Sequence, residues 1–597
     1  MMIIWRPTLP PKAAIVITAV ILTLLVSLGG YEISLSQFHH QPLWAEHWGR
    51  HFNDGSFLHL ANSSGRMEAI GQAIVYHDRH LLHLLIPLAV YPSLLMSPAA
   101  LMFITVPALA ILLVMTGIYI WSRSSHLLSA IAGMVTLAAA PGLLNRLWGV
   151  GSPVQDIPAA LLFAAGIFCL LLPENRQDVK KHLTLAAILL CASILTRTPA
   201  LFISAFTLAL IAGADILIRK RSGESFGSTV IPWSKLALGI AVIVAVPIIA
   251  SFDYLWAYYT RLKPADDQFD KFGYYESTIT IGRILYDFFG PALSIILCTL
   301  ALYSSYRIAR NFAKLGLTAL KHDALLLVWV LGLPIMLITN KYWSAMPKEL
   351  LYSIPALIAL AFSSLDGKWI SLPKSCQSAE VQMFAGIIIG ALLVNYNYER
   401  ELARTHTTGA FEQQWSKNQQ AMAKTLAEIP GDLLIWQSYT LPDWWADVTS
   451  LAFIKYGVVR IPAGHDYFAN QQKYWTAHYR GFPESEIPEL VYRRTVQCVD
   501  VAVVLHDPEI APKGMKDNLA RAVAKHVSSR MASDPAWKLH STLSGEPWGA
   551  QLAIYVKGTR SAPACYQNAL LGLRPDTGVH RFKDWKEISP TNSSTIR

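Results

Sequence analysis

Apolar residues along this chain come in long unbroken runs, not in the stripes that mark a surface helix of a soluble protein. Ala13–Gly30, Ala99–Trp121 and Ile157–Leu172 carry no charged residue at all. Each run is close to the ~20 residues that a helix needs to cross ~30 Å of hydrocarbon. Further runs follow at Leu127–Ala140, Leu183–Leu195, Ala200–Leu217, Leu236–Ala250 and Phe288–Tyr303. The series closes with Ala324–Ile338, Leu350–Phe362 and Met383–Val394, giving eleven predicted transmembrane helices. Ala13–Gly30 ends in Ser-Leu-Gly-Gly-Tyr-Glu without a small-x-small cleavage site, so it reads as an uncleaved first span, not a signal peptide.

The polar residues between the runs set the topology. Arg6 and Lys12 precede the first run and place the N-terminus in the cytoplasm. Counting onward, Arg123, Arg176/Lys180/Lys181, Arg219/Lys220/Arg221, Arg307/Arg310/Lys314/Lys321 and Lys368/Lys374 all fall on that same side. Leu81–Met96 is a twelfth apolar stretch. Were it to cross, every basic cluster would fall outside, so it is expected to lie in or dip into the outer interface, which suits Pro87, Pro92, His80 and His83.

Beyond residue 394 the pattern changes. Charge rises and no spanning run recurs. Asp432–Trp436, Cys498–Asp507 and Gln551–Gly558 read as strands, and Gly514–Met531 as an amphipathic helix between two of them. The expected architecture is a polytopic α-helical membrane domain over 1–394, with an outer loop 31–98 carrying interfacial helices, and an extracytoplasmic α/β domain over 395–597. Cys498 and Cys565 are the tail's two cysteines; in an oxidising compartment they stand as a disulfide or as two free thiols.

Composition agrees with this division. Of the 597 residues 53% are hydrophobic and 15% charged, against about 25% charged in an average soluble protein. The net charge of +10 sits mainly in short loops between apolar runs, where it reads as membrane orientation and not as a nucleic-acid surface. No P-loop, dinucleotide glycine fingerprint, HExxH or GxSxG is present, which argues against ATP or NAD chemistry on this chain.

What remains is a set of ionisable residues that the topology gathers at the outer face. Glu32 follows the first run; a partly desolvated carboxylate there suits a general base or a metal ligand, and equally a solvated or helix-capping group. Asp54 lies in Asn-Asp-Gly, a turn signal. Asp156, before Ile-Pro, is a normal helix start. Arg197, in the tight turn of Leu-Thr-Arg-Thr-Pro, either snorkels to headgroups or holds an anion. Lys341 and Lys348 lie outside, against the positive-inside bias. His47 and His51 share one helix face at a spacing that divalent metals use; the other reading is an interfacial helix decorated with histidine. Trp44, Trp48, Trp343, Trp436, Trp444 and Trp445 stack on sugar rings or form an interface belt.

Taken together, these positions resemble the GT-C type glycosyltransferases, a superfamily that includes protein O-mannosyltransferases and oligosaccharyltransferase catalytic subunits. Glu32, Asp156 and Arg197 take the places of the acidic residue after the first span, the acidic residue at the outer start of a later span, and the basic residue soon after. The stretch from Asn340 to Leu357 resembles the late segment in which basic residues precede a span with a Tyr-x-x-Pro element, here Tyr352 to Pro355. The resemblance implies a polyprenyl-phosphate sugar as donor and a glycan, lipid or protein acceptor. It implies Glu32, or Asp54, as catalytic base, with Asp156, Arg197, Lys341, Lys348 and Tyr352 binding substrate, in an inner-membrane protein whose reaction inverts the anomeric centre. No cofactor is called for with certainty, and a divalent metal stays open as an alternative. A transporter or flippase of lipid-linked glycans, a ligase moving a whole glycan, and a non-catalytic envelope scaffold are the alternatives.

Overall fold

Each of the eleven apolar runs overlaps a helix, and the helices and runs differ by a few residues at several ends. The structure is a computed structural model. It describes residues 9–41, 65–76, 81–90, 97–146, 149–152, 156–172, 179–197, 200–250, 285–319, 321–339, 351–363, 376–407, 409–431, 433–437, 451–452, 455–458, 460–462, 483–494, 496–507, 518–544 and 551–558.

The first helix, α1, spans Pro11–His40, with proline at its first position, where the missing N–H costs no hydrogen bond. Two short helices follow in the first loop, α2 (Arg66–Tyr76) and α3 (Leu81–Val90). Then come α4 (Met102–Ser124), α5 (Leu127–Ala138), α6 (Asp156–Leu171), α7 (Val179–Thr196), α8 (Ala200–Arg221) and α9 (Phe226–Ala250). The bundle is completed by α10 (Pro291–Ala319), α11 (Lys321–Thr339), α12 (Ile354–Ser363) and α13 (Ala379–His406). Among the described residues six helices are long and apolar enough to cross a membrane: α1, α4, α8, α9, α10 and α13. At ten residues, α3 covers about 15 Å, too little to span the hydrocarbon.

Burial explains which helices sit where. Helix α6 is buried on nearly every side, so it is apolar all round. Phe163 and Phe168 on it meet Tyr352, Trp329 and Tyr119 with ring centroids 5.1–5.3 Å apart where they stack closest. The periphery is the reverse: Val242, Val246 and Ile249 of α9, Ile295 and Leu302 of α10, and Ile388 and Leu392 of α13 are exposed. Apolar faces of that extent need lipid against them. This is a multi-pass membrane protein.

Contacts at the two ends fix the relative direction of the helices. Lys12 lies over the Trp121 ring at 6.0 Å. Near it, Arg123 pairs with Asp323 at 2.9 Å, and Asp215 accepts from Lys321 at 2.7 Å and from Trp233 Nε1 at 2.9 Å. The start of α1, the ends of α4 and α8 and the start of α11 therefore share one end of the bundle, and it is rich in cations. Helix α13 runs parallel to α1: the Leu9 amide donates to Glu380 at 2.9 Å, and Ser36 meets Thr405 at 2.7 Å. Two parallel helices that both cross require an odd number of crossings from the first through the last.

Helix α13 does not stop near residue 394, where the membrane domain was expected to end, but continues about three turns to His406. After it come α14 (Ala410–Glu428), β1 (Leu433–Gln437), β2 (Arg460–Pro462), α15 (Ile487–Arg494), β3 (Val501–Leu505), α16 (Asn518–Ser533), β4 (Trp537–Ser544) and β5 (Gln551–Lys557). The five strands form one sheet in the order β2-β1-β3-β5-β4, with β1 parallel to β2 and β3, and β5 antiparallel to β3 and β4. Gly431, at φ 92°, makes the turn from α14 into β1 in a backbone region that disfavours side chains.

Strand alternation splits the sheet's residues between two cores. Ile435, Val501, Val503 and Ile554 pack with Trp415 and Met422 of α14, and with Phe38 at the end of α1. Trp436, Ala502, Val504 and Ala553 pack with α15 and α16, and with Ala69, Ala73, Leu81 and Leu88 of α2 and α3; Leu195 of α7 lies against this core. The α/β domain is thus fused to the helices of the first loop and to the ends of α1 and α7. The remaining cysteines of the bundle, Cys169, Cys191, Cys298 and Cys376, are free thiols; Cys565 lies outside the described residues.

Candidate functional site

Asp156 opens α6, with Pro158 in its first turn, where a carboxylate complements the positive end of the helix dipole. Helix α7 returns antiparallel beside α6. Ser193 Oγ donates to the Ala159 carbonyl at 2.7 Å, and Gly166 leaves room for Leu190, whose Cγ would lie 3.0 Å from an added Cβ. Arg197 continues the last turn of α7, its amide bonded to the Ser193 carbonyl at 3.0 Å. The packing of the two helices therefore delivers Arg197 to Asp156, and the two form an ion pair. Asp156 is 4% exposed and the Arg197 side chain 14%.

A guanidinium carries five N–H donors and stays charged at any physiological pH. One carboxylate cannot use all five in the plane of the fork. An arginine anchored this way holds its charge in a fixed place and retains donors for a second anion.

The segment leading to Asp156 is tied to α1. Ser34 Oγ donates to the Gly151 carbonyl, and Gly30 and Gly151 touch backbone to backbone. A Cβ on Gly30 would lie 2.6 Å from Val150 Cγ2 and 3.0 Å from the Gly151 nitrogen, so this close approach needs glycine. Gln37 donates to the Arg146 carbonyl at 3.0 Å from the same side of α1.

Glu32 lies at the depth of that contact but elsewhere on the helix. Two residues from both Gly30 and Ser34, it is turned about 200° from them at ~100° per residue. It is exposed, and Tyr398 of α13 donates a hydrogen bond to its Oε2 at 2.6 Å. The structure thus pairs Asp156 with Arg197 and gives Glu32 a different partner. Glu32 does not follow the first helix, as expected from the apolar run, but is part of it.

Tyr352 is fully buried beneath this end, its ring 5.3 Å from Phe163 and its carbonyl accepting from Trp329 Nε1 at 3.1 Å. Asp54, Lys341, Lys348, His47 and His51 lie outside the described residues, as do Trp44, Trp48, Trp343, Trp444 and Trp445. Among the described residues no three His, Cys, Asp or Glu side chains gather as a metal site.

Two residues that pattern reading passed over belong to this end. Tyr398 stands in Asn-Tyr-Asn-Tyr-Glu-Arg, a polar-aromatic stretch just beyond the last apolar run, and that position was the available signal. Glu401, 1% exposed, pairs with Arg404 at 2.5 Å and with Arg400 at 3.6 Å.

Neither a protein-family model nor a curated protein matches the chain. Among solved structures it is similar to ArnT from Cupriavidus metallidurans in the apo state, at 10% identity over 90% of this chain and 97% of that one, with a TM-score of 0.49. It is likewise similar to ArnT from the same organism bound to undecaprenyl phosphate, at 11% identity over 92% of this chain and 99% of that one, with a TM-score of 0.47.

Proposed function

We propose that this protein is a GT-C type membrane glycosyltransferase that moves a sugar from a polyprenyl-phosphate donor to an acceptor at the outer face of the inner membrane. The observation that carries the reading is the buried Asp156–Arg197 pair at the end of the bundle where the α/β domain docks. A buried arginine is expensive to keep, and its carboxylate partner only partly offsets that cost. A site for a second anion gives the expense a purpose.

In this mechanism Arg197, with Lys341 and Lys348, binds the donor phosphate and stabilises the charge that grows on it as the sugar leaves. Asp156 holds Arg197 in place, and Tyr352 packs on Phe163 two turns further along the same helix. An acceptor hydroxyl attacks the anomeric carbon from the face opposite the phosphate. The new carbon–oxygen bond forms as the bond to the phosphate oxygen breaks, and the polyprenyl phosphate leaves with that electron pair. The acceptor's proton passes to Glu32, with Asp54 the next carboxylate to consider. Direct displacement inverts the anomeric centre. The N-terminus is cytoplasmic and the α/β domain periplasmic, which puts the acceptor outside.

Binding of polyprenyl phosphate to the purified protein in nanodiscs tests the reading. Removing a hydrogen bond to a charged group costs ~1.5–3 kcal/mol, so Arg197→Gln should weaken binding by roughly 10- to 100-fold. Asp156→Asn, which leaves Arg197 charged but unanchored, should also weaken binding, and thermal midpoints measured alongside separate loss of the site from loss of the fold. Equal binding by the wild type and Arg197→Gln would remove the phosphate from this site.

A further inference from the structure

Among the described residues, the fixed contact of Glu32 comes from α13. We infer that Tyr398 is a positioning residue for the Glu32 carboxylate, an inference that rests on the reading of Glu32 as the base. The Tyr398 hydroxyl donates to Glu32 Oε2 at 2.6 Å. That bond occupies one carboxylate oxygen, fixes the plane of the group, and leaves Oε1 to receive a proton. A free glutamate would sample several rotamers, and holding it in one recovers part of the barrier that orientation otherwise costs.

Three independent features make the contact a built one. Gly29, one turn before Glu32, lets the Tyr398 ring lie against α1; a Cβ there would be 3.3 Å from Tyr398 Cδ2. Asn397, the neighbour of Tyr398, donates to the Ala139 carbonyl at 2.8 Å and is buried, which fixes α13 along the bundle. Two turns further on, Ser36 and Thr405 hold the same helix pair at 2.7 Å. Because α13 continues towards the α/β domain, the tyrosine also links the carboxylate to the element that carries that domain.

The test is a double-mutant cycle on the full-length protein in nanodiscs, with kcat, both KM values and thermal midpoints measured for each variant. Tyr398→Phe should lower kcat roughly tenfold, the worth of one hydrogen bond to a charged group, with both KM values and the midpoint unchanged. In a Glu32→Gln background the same change should have no further effect, because the proton acceptor it positions is gone. Tyr396→Phe, two residues away on an exposed face of α13, should leave kcat at its wild-type value. If Glu32→Gln collapses turnover but Tyr398→Phe costs the same in both backgrounds, or lowers the midpoint together with kcat, the tyrosine is merely structural and this inference is overturned alone. If Glu32→Gln turns over normally, the base assignment falls and this inference falls with it.

Discussion

Replacing Asp156 by Asn keeps the size of the side chain and removes its charge. Arg197 is then left buried, at 14% exposure, without the carboxylate that accompanies it. Breaking one side of a buried pair costs about 3–5 kcal/mol, and losing the negative charge from the first turn of α6 adds up to ~1 kcal/mol. Against total stabilities of about 5–15 kcal/mol, that is a severe loss. Removing both charges should cost far less, since apolar side chains of similar volume replace buried pairs without penalty in many proteins. Asp156→Leu/Arg197→Met should therefore recover most of what Asp156→Asn loses, a coupling of about 2 kcal/mol or more between adjacent positions. Equilibrium unfolding in mixed detergent micelles measures the wild type, Asp156→Asn, the single variants Asp156→Leu and Arg197→Met, and the double variant. A cost below ~1 kcal/mol for Asp156→Asn, or a double variant as unstable as the summed singles, would refute the claim that these residues form a buried, mutually dependent pair.

Gly151→Ala would drive a Cβ into the Gly30 backbone; overpacking typically costs ~1–3 kcal/mol, so we expect reduced thermal stability and loss of activity, checked by fluorescence-detected melting and turnover. In the α/β domain, burial pushes the Glu489 carboxyl up, but hydrogen bonds from His526 at 2.6 Å and Arg530 at 3.0 Å outweigh it and hold it below the ordinary value of 4.5. A carboxyl lowered on folding contributes stability that is present above that value and lost as pH falls below it, so Glu489→Gln should flatten the acid limb of the melting profile and leave a neutral-pH difference from wild type. Cysteines placed at Lys12 and Ser378 should label from the cytoplasmic side and one at Thr407 from the opposite side; Lys12 and Ser378 on different sides would break the parallel arrangement of α1 and α13.

The helices were legible because lipid leaves a plain mark: a run of apolar residues with no polar face. Their ends were not. Helix α1 continues ten residues past Gly30 because Ser34, Ser36 and Gln37 spend their polarity on Gly151, Thr405 and Arg146, and Glu32 on Tyr398. Helix α13 passes Val394 for the same reason, with Asn397 bonded to Ala139 and Glu401 to Arg404. Hydropathy marks where hydrocarbon ends; protein partners decide where a helix ends. In the tail, the apolar strands β1, β3 and β5 stood out, whereas β4, exposed on most of its length, and α14, with its Gln-rich surface, gave no such signal. Asp156 and Arg197 were visible as residue types at helix ends. Their pairing depends on the antiparallel packing of α6 and α7, and the separation of Glu32 from that pair depends on helical phase relative to Gly30; neither is written in local pattern.

The central claim is sugar transfer, and it is tested most directly by incubating the purified protein in nanodiscs with a polyprenyl-phosphate donor labelled in its sugar, together with an envelope extract as acceptor source. We expect label to leave the lipid for a product with inverted anomeric configuration, and Asp156→Asn/Arg197→Gln, which removes both charges of the pair together, to lower that transfer at least tenfold while the protein remains folded. Label that stays on the lipid carrier, or that crosses the bilayer still attached to it, would contradict the account and make the protein a binder or a flippase of lipid-linked sugars.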